Sequence, residues 1–205
     1  MFLEAKDISF KYEKKGKFIL KGLSLKIDSK KITGILAPSG YGKSTLAKIL
    51  SGYELQDEGE VSFDNKALPK KSYNPVQLIY QHPEFAVNPK WKMKKTLNEV
   101  VNIDKNIIKE MGIKKEWLNR FPNELSLGEL QRFCIARVLN NKTKFLICDE
   151  ITSMLDSINQ AQIWKYLINV SNKKEIGLLV ITHNINLAKK ICDEIIFLEE
   201  VNNIN

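Results

Sequence analysis

The stretch Ala37-Pro38-Ser39-Gly40-Tyr41-Gly42-Lys43-Ser44-Thr45 carries the most readable chemistry in this chain. It follows the phosphate-binding pattern G-x-x-x-x-G-K-[ST] at every position but the first, where Ala37 stands in place of glycine. Gly40 and Gly42 let the backbone come close to phosphates, with successive N–H groups turned toward the anion. Lys43 is placed to reach the terminal phosphates and the Ser44 hydroxyl to sit on Mg²⁺. Ser39, Tyr41 and Thr45 complete the nucleotide-contacting stretch. The expected ligand is a nucleoside triphosphate with its magnesium. A chance glycine turn between strand and helix is the plain alternative, and the lysine, the hydroxyls and both flanks weigh against it.

A second constellation is Cys148-Asp149-Glu150, which ends an apolar run. Two carboxylates at the end of a buried strand are unfavourable unless they meet a cation or a water network. Beside a phosphate loop, Asp149 would hold Mg²⁺ through water and Glu150 would polarise the attacking water. Gln81 ends another strand, just before His82-Pro83; its amide would bond Mg²⁺ or the attacking water, or cap the chain reversal. His183 follows Ile181-Thr182 at the kind of strand end where α/β proteins bind ligands. Gln81 or His183 taken singly reads equally well as a structural group.

These residues need elements to position them. Lys31–Leu36 predicts a buried strand entering the loop, and Ser44–Leu50 a helix leaving it, with its N-terminal dipole toward the anion. Alternation predicts strands over Glu4–Tyr12 and Phe18–Ile27. Further strands are expected at Glu60–Asp64, after a turn at Asp57-Glu58-Gly59, and at Val76–Tyr80, Phe145–Asp149, Gly177–Thr182 and Glu194–Leu198. Helices are expected at 96–101, Lys105–Met111, Lys115–Arg120, Gly128–Leu139, Asn159–Val170 and Ile185–Ile191. The alternation of strand and helix implies a parallel α/β core with a β-rich start and a helical insertion.

Composition narrows the classes. The chain has 205 residues and is 43% hydrophobic, enough for one large domain or a core with an inserted subdomain. No segment approaches the apolar length needed to cross a bilayer. The N-terminus lacks the charged-then-apolar order of a signal peptide, so a soluble, cytoplasmic chain is expected. The three cysteines, Cys134, Cys148 and Cys192, sit among apolar neighbours and read as small buried thiols. The two histidines show no metal-ligand spacing, so any metal is expected to arrive with the nucleotide. The net charge of +8 includes clusters at Lys14–Lys17, Lys70-Lys71 and Lys90–Lys95. These would suit nucleic acid or an anionic membrane surface, but their scatter favours a solvated lysine-rich face.

The segment Leu125-Ser126-Leu127-Gly128-Glu129-Leu130-Gln131-Arg132 completes an ordered set. Phosphate loop, Gln81, Leu125–Glu129, Asp149-Glu150, Ser153–Asp156 and His183 together resemble the ATP-binding cassette (ABC) ATPases, over nearly the whole chain. The resemblance implies a P-loop NTPase (RecA-like) α/β core with an N-terminal antiparallel β subdomain and an inserted helical subdomain. The single 205-residue domain would divide into residues 1–82 and 138–205 as the nucleotide-binding core and 83–137 as the helical part. It further implies that Glu150 is the catalytic carboxylate, Gln81 the Q-loop residue, His183 the switch histidine and Asp156 part of the D-loop. Tyr12 is placed like the aromatic residue that stacks on adenine. Ser126, Leu127, Gly128 and Glu129 match the signature that faces a partner's ATP. The implied function is an ATPase subunit of a membrane transporter, at the cytoplasmic face of the membrane, using ATP and Mg²⁺. Its partners would be permease subunits, a second ATPase subunit in a homo- or heterodimer, and an extracellular solute-binding protein, with no nucleic acid expected.

Finer features are similar to the oligopeptide, dipeptide and nickel importer branch: Gln81-His82-Pro83-Glu84, Val87-Asn88-Pro89, Glu129–Arg137 and Ser153-Met154-Leu155-Asp156. Apolar Phe85, Val87 and Trp91 beside basic residues would suit a permease-docking surface, or form the insertion's own small core. Three departures from the family pattern stand out. Ala37 replaces a glycine, tolerable only at negative φ. Ile151 replaces a proline and removes no ligand. Leu127 replaces a signature glycine, and a leucine there crowds the approach to the γ-phosphate. That asymmetry suggests a non-identical ATPase as the working partner. Two rivals stay open: a soluble cassette ATPase acting on nucleic acid or ribosomes, and a regulatory cassette that binds ATP with little hydrolysis.

Overall fold

A computed structural model describes residues 1–100 and 105–204. The alternating N-terminal segments become β1 (Phe2–Phe10) and β2 (Leu20–Asp28), with Leu3, Ala5, Leu23, Leu25 and Ile27 turned into the core. The chain continues through β3 (Ile32–Leu36), α1 (Lys43–Leu50), β4 (Glu58–Phe63), β5 (Lys66–Ala67), β6 (Val76–Ile79), α2 (Met93–Leu97) and α3 (Lys105–Glu110). It ends with α4 (Leu127–Val138), β7 (Phe145–Asp149), α5 (Ser157–Lys174), β8 (Gly177–Thr182), α6 (Ile185–Ile191), β9 (Glu194–Phe197) and α7 (Leu198–Val201). Short 3-10 turns lie at Pro83–Phe85, Lys115–Asn119 and Pro122–Glu124.

Two sheets result. The first is antiparallel with order β2-β1-β4-β5; the second is parallel with order β6-β7-β8-β3-β9. Every residue of β7 and β8 is buried, as a parallel strand covered on both faces requires. In register, Leu36 lies opposite Thr182, Asp149 opposite Ile181 and Ile79 opposite Cys148. The loops after β3, β6, β7 and β8 therefore all emerge at one carboxyl edge, where open α/β sheets bind ligands. α1 is packed by Leu46, Ile49 and Leu50 among Leu3, Leu23, Ile147 and Leu179, from strands of both sheets. A second apolar cluster joins Met93, Trp117 and Phe133 to Leu146, Leu178 and Leu167, so the helical segments pack against the other face of the parallel sheet.

Several boundaries differ from expectation. Glu58-Gly59 belongs to β4 rather than to a turn. Gly59 has φ 84°, and a Cβ there would strike the Lys6 and Asp7 carbonyls, where the β1–β4 register shifts. The helix expected at 96–101 instead spans Met93–Leu97, because Met93, Thr96 and Leu97 are the buried face; position 101 lies outside the described residues. Lys115–Asn119 forms a 3-10 turn, and α5 runs longer than expected at both ends. The two-residue β5 and the one-turn α7 carry too little periodicity to be read in advance. Cys134 and Cys148 are buried and Cys192 half-buried. Burial pushes the Cys134 and Cys192 thiols up to about 11 and Cys148 upward as well, so they pack as small apolar groups. Among the described residues no helix is long and apolar enough to cross a membrane.

Candidate functional site

The phosphate loop is held by its glycines. Gly40 and Gly42 both have φ 85°, in the left-handed region open to glycine. At Gly42 a Cβ would lie 2.9 Å from Ile19 Cγ2 and 3.1 Å from the Ile19 carbonyl, so the loop backbone is pressed against the β-rich start. Ala37 is not in the left-handed region and its methyl is buried in the core. A glycine is therefore not required there. Ala37→Gly is expected to leave ATP affinity within about twofold while costing about 0.4–1 kcal/mol of stability through added unfolded-chain freedom. Isothermal calorimetry and denaturant titration check the two halves.

Lys43 is 6% exposed, and its ammonium donates to the Ala37 carbonyl (2.9 Å) and the Pro38 carbonyl (2.8 Å). The same Nζ lies 3.5 Å from Glu150 Oε1. Glu150 follows β7 at φ 48°, a strained setting for a non-glycine residue that turns its side chain back into the cluster. His183 Nδ1 donates to Glu150 Oε1 at 3.0 Å, and Gln81 Nε2 donates to Glu150 Oε2 at 3.2 Å. Glu150 is thus the point where the loops after β3, β6 and β8 meet. Ser153, which opens the Ser153–Asp156 segment, fixes this corner: its hydroxyl donates to the Glu150 carbonyl at 2.9 Å and lies 3.5 Å from Gln81 Nε2. A cavity of about 330 Å³ opens beside it, lined by Glu150, His183, Leu155 and Trp164 among others. Ile151 is 3% exposed and packs into the core, so the departure from proline is absorbed by burial.

Asp149 is 4% exposed at the end of β7, and its Oδ1 has no hydrogen-bond partner. Burial pushes its carboxyl up from the ordinary carboxylate range, partly opposed by the Ser44 hydroxyl. An orphaned buried carboxylate oxygen beside a hydroxyl suits a hard cation such as Mg²⁺. Because the folded-state value is raised, charged Asp149 opposes folding at neutral pH, and that cost disappears as pH falls through the raised value. Asp149→Asn is therefore expected to raise nucleotide-free stability by about 1 kcal/mol or more, roughly 2–4 °C per kcal/mol in a chain of this size. The same variant should lose the Mg²⁺-dependent part of its stabilisation by ATP. Differential scanning calorimetry with and without Mg·ATP reads both, and an unchanged or lowered apo Tm would contradict the expectation.

Tyr12 sits at the rim, 60% exposed, with its ring edge-on to Phe10 and its hydroxyl 3.0 Å from Thr45 Oγ1. Ser39, Gly40 and Tyr41 form the exposed crest of the loop. The signature residues do not join this cluster. Ser126 caps α4, its hydroxyl accepting from Glu129 N–H (3.3 Å) while Glu129 Oε2 accepts from Ser126 N–H (2.9 Å). Leu127 is 40% exposed at the first turn, and a Cβ at Gly128 would approach Leu155 Cδ2 at 3.1 Å. Asp156 caps α5 through the N–H groups of Ile158 and Asn159, both at 3.0 Å, and those bonds hold its carboxyl below the usual range. Polar side chains tie the signature helix to the rest. Buried Gln131 donates to the Tyr80 carbonyl (3.3 Å), next to Gln81. Arg132 donates to the Met111 carbonyl (2.8 Å) and to Asn159 Oδ1 (2.7 Å) at the start of α5. Phe85 is 83% exposed, whereas Val87 joins the core of the helical segments.

Most of the chain is similar to known proteins. The family model described as "ABC transporter" matches residues 20–153. The nickel import system ATP-binding protein NikE of Staphylococcus aureus (strain bovine RF122 / ET3-1) is 32% identical over 216 residues, covering 97% of this chain and 87% of that protein. The nickel import ATP-binding protein NikE of Pseudomonas putida is 30% identical over 199 residues, covering 88% of this chain and 73% of that protein. Among solved structures, cbiO1 of Clostridium perfringens, part of the ABC transporter complex cbiONQ, superposes with TM-score 0.77 at 26% identity, covering 95% of this chain and 83% of that one. The dimeric bacterial ABC transporter cassette MJ0796 shares the fold with TM-score 0.81 at 24% identity, covering 95% of this chain and 93% of that one.

Proposed function

The chain belongs to the ABC transporter family and is an ATPase, and on that footing we propose that it powers solute import, of the metal or metal-chelate kind, by closing and opening a cassette dimer around ATP. The observation that carries this reading is the convergence of Lys43, Gln81 and His183 on Glu150 beside the phosphate loop. An ammonium has three N–H donors. Lys43 spends two on loop carbonyls and directs its charge at Glu150. An arriving γ-phosphate competes for that charge and frees the Glu150 carboxylate to accept a proton from the attacking water. His183 and Gln81 then hold the carboxylate and the water in line, and the loop N–H groups stabilise charge on the transferred phosphoryl group. Ser44 and Asp149 would hold Mg²⁺, which when bound neutralises charge on the β- and γ-phosphates.

The partners follow from the same reading. Residues 83–137 are taken as the helical subdomain, with exposed Phe85 beside Gln81 as the contact to a permease. Ser126, exposed at the α4 N-terminus it caps, would meet ATP held by a second cassette. A solute-binding protein outside the membrane would deliver the cargo. Names of relatives, nickel import among them, support the metal class. Reconstitution with candidate permeases tests the reading. ATP hydrolysis should rise when permease and loaded binding protein are present, and nickel uptake should require Mg·ATP. A chain that hydrolyses ATP at one rate regardless of any permease would overturn the transporter assignment.

A further inference from the structure

Away from the nucleotide, a cleft of about 460 Å³ is lined by Lys90, Trp91, Lys92, Lys94, Lys95 and Phe121, with no carboxylate among its lining residues. It is a built feature. Asn88 accepts from the N–H groups of Lys90 (2.9 Å, side chain) and Trp91 (3.1 Å, carbonyl), fixing the turn before α2. Met93 N–H donates to the Arg120 carbonyl at 2.9 Å, which sets Phe121 across from that turn. Met93, Thr96 and Leu97 are buried, so the four lysines are forced to the outside of the same short segment. Lys95 Nζ sits 4.0 Å above the Trp91 ring and Lys92 Nζ 5.8 Å from the Phe121 ring. None of the four lysines forms an ion pair among the described residues, and nearby Glu99 is taken by Arg137 at 3.1 Å.

We propose that this cleft docks on the phosphate headgroups of an anionic bilayer. The choice of a bilayer rests on the reading of the chain as a transporter subunit. It also rests on the chemistry of the cleft. Lysines beside a tryptophan and a phenylalanine suit the headgroup level, where ammoniums meet phosphates and amphipathic rings meet the acyl boundary. Single-stranded nucleic acid would instead need open ring faces for stacking, and here lysines lie over both rings.

The test uses the full chain with vesicles of phosphatidylcholine alone or with added phosphatidylglycerol, and with oligonucleotides as a second arm. Wild-type chain should co-sediment with the anionic vesicles only, less so at high salt. Replacing Lys90, Lys92, Lys94 and Lys95 together by glutamine should weaken that partition by about a hundredfold or more. ATP binding should be unchanged in this variant, which separates a failure here from a failure of the ATPase reading. Trp117 and Trp164 are buried, so a blue shift of tryptophan emission on anionic vesicles, lost in Trp91→Phe, gives a reading without touching the lysines. Wild-type chain that ignores anionic vesicles, or glutamine variants that bind them equally, would overturn the proposal. Tighter, lysine-dependent binding to oligonucleotides than to vesicles would overturn it in favour of nucleic acid.

Discussion

Replacing Glu150 by glutamine is expected to slow steady-state ATP hydrolysis by about 10²–10⁴-fold, the range that general-base catalysis contributes, while ATP binding survives. The substitution is nearly isosteric. It keeps an oxygen for one of the two hydrogen bonds from His183 and Gln81, puts an NH2 donor where the other acceptor stood, and removes the negative charge that faces Lys43 at 3.5 Å. Losing that charge also lowers the competition for the Lys43 ammonium, so ATP should bind as tightly or more tightly. The nucleotide-bound dimer should accumulate, because the step that opens it is blocked. Phosphate release and gel filtration in Mg·ATP measure the two effects. A loss of less than tenfold would show that Glu150 is not the base. Where a second, non-identical cassette is the partner, the same change made in each subunit separates the two sites. In such a pair the site built on Lys43 and Glu150 would face the partner's signature, and the opposing site would face Leu127, which is exposed at the start of α4. The loss should then be larger for the change in this chain, and equal losses would count against an unequal pair.

Lys43→Ala is expected to weaken ATP binding by about 10- to 150-fold, the equivalent of one charge-assisted hydrogen bond. The effect has two sources. The phosphate loses a cation, and the loop loses the donors that tie the Ala37 and Pro38 carbonyls at 2.9 and 2.8 Å. Glu150, 10% exposed, also loses its buried cation and keeps only His183 and Gln81. Unlike Glu150→Gln, this variant should be impaired at binding, so about 10- to 150-fold more ATP should be needed for the same rise in melting temperature. Unaltered affinity in calorimetry would remove Lys43 from the site.

The contrast between these two variants depends on which parts of the site are local. The phosphate loop, the Ser126–Glu129 capping box and the Asp156 cap act over a few neighbouring residues, so residue types and spacing suffice to find them. The apolar runs of β7 and β8 are equally local, because a strand buried on both faces must be apolar throughout. Gln81 and His183 carried a weaker signal. Each ends a strand, where a ligand-binding role and a structural one read equally well, and the resemblance to a family of known motif order chose between them.

The sequence by itself thus determined the loop, the strand ends and the order in which their residues arrive, because these follow from short-range backbone geometry and periodicity. Tertiary structure alone decided three things. It set Ala37 at a backbone conformation that accepts a methyl. It sent Val87 inward and left Phe85 outside. It brought Lys43, Gln81 and His183 onto the two oxygens of Glu150. Each depends on how strands distant in sequence come into register and on which face the core claims, and those are properties of the packed sheet rather than of any one segment.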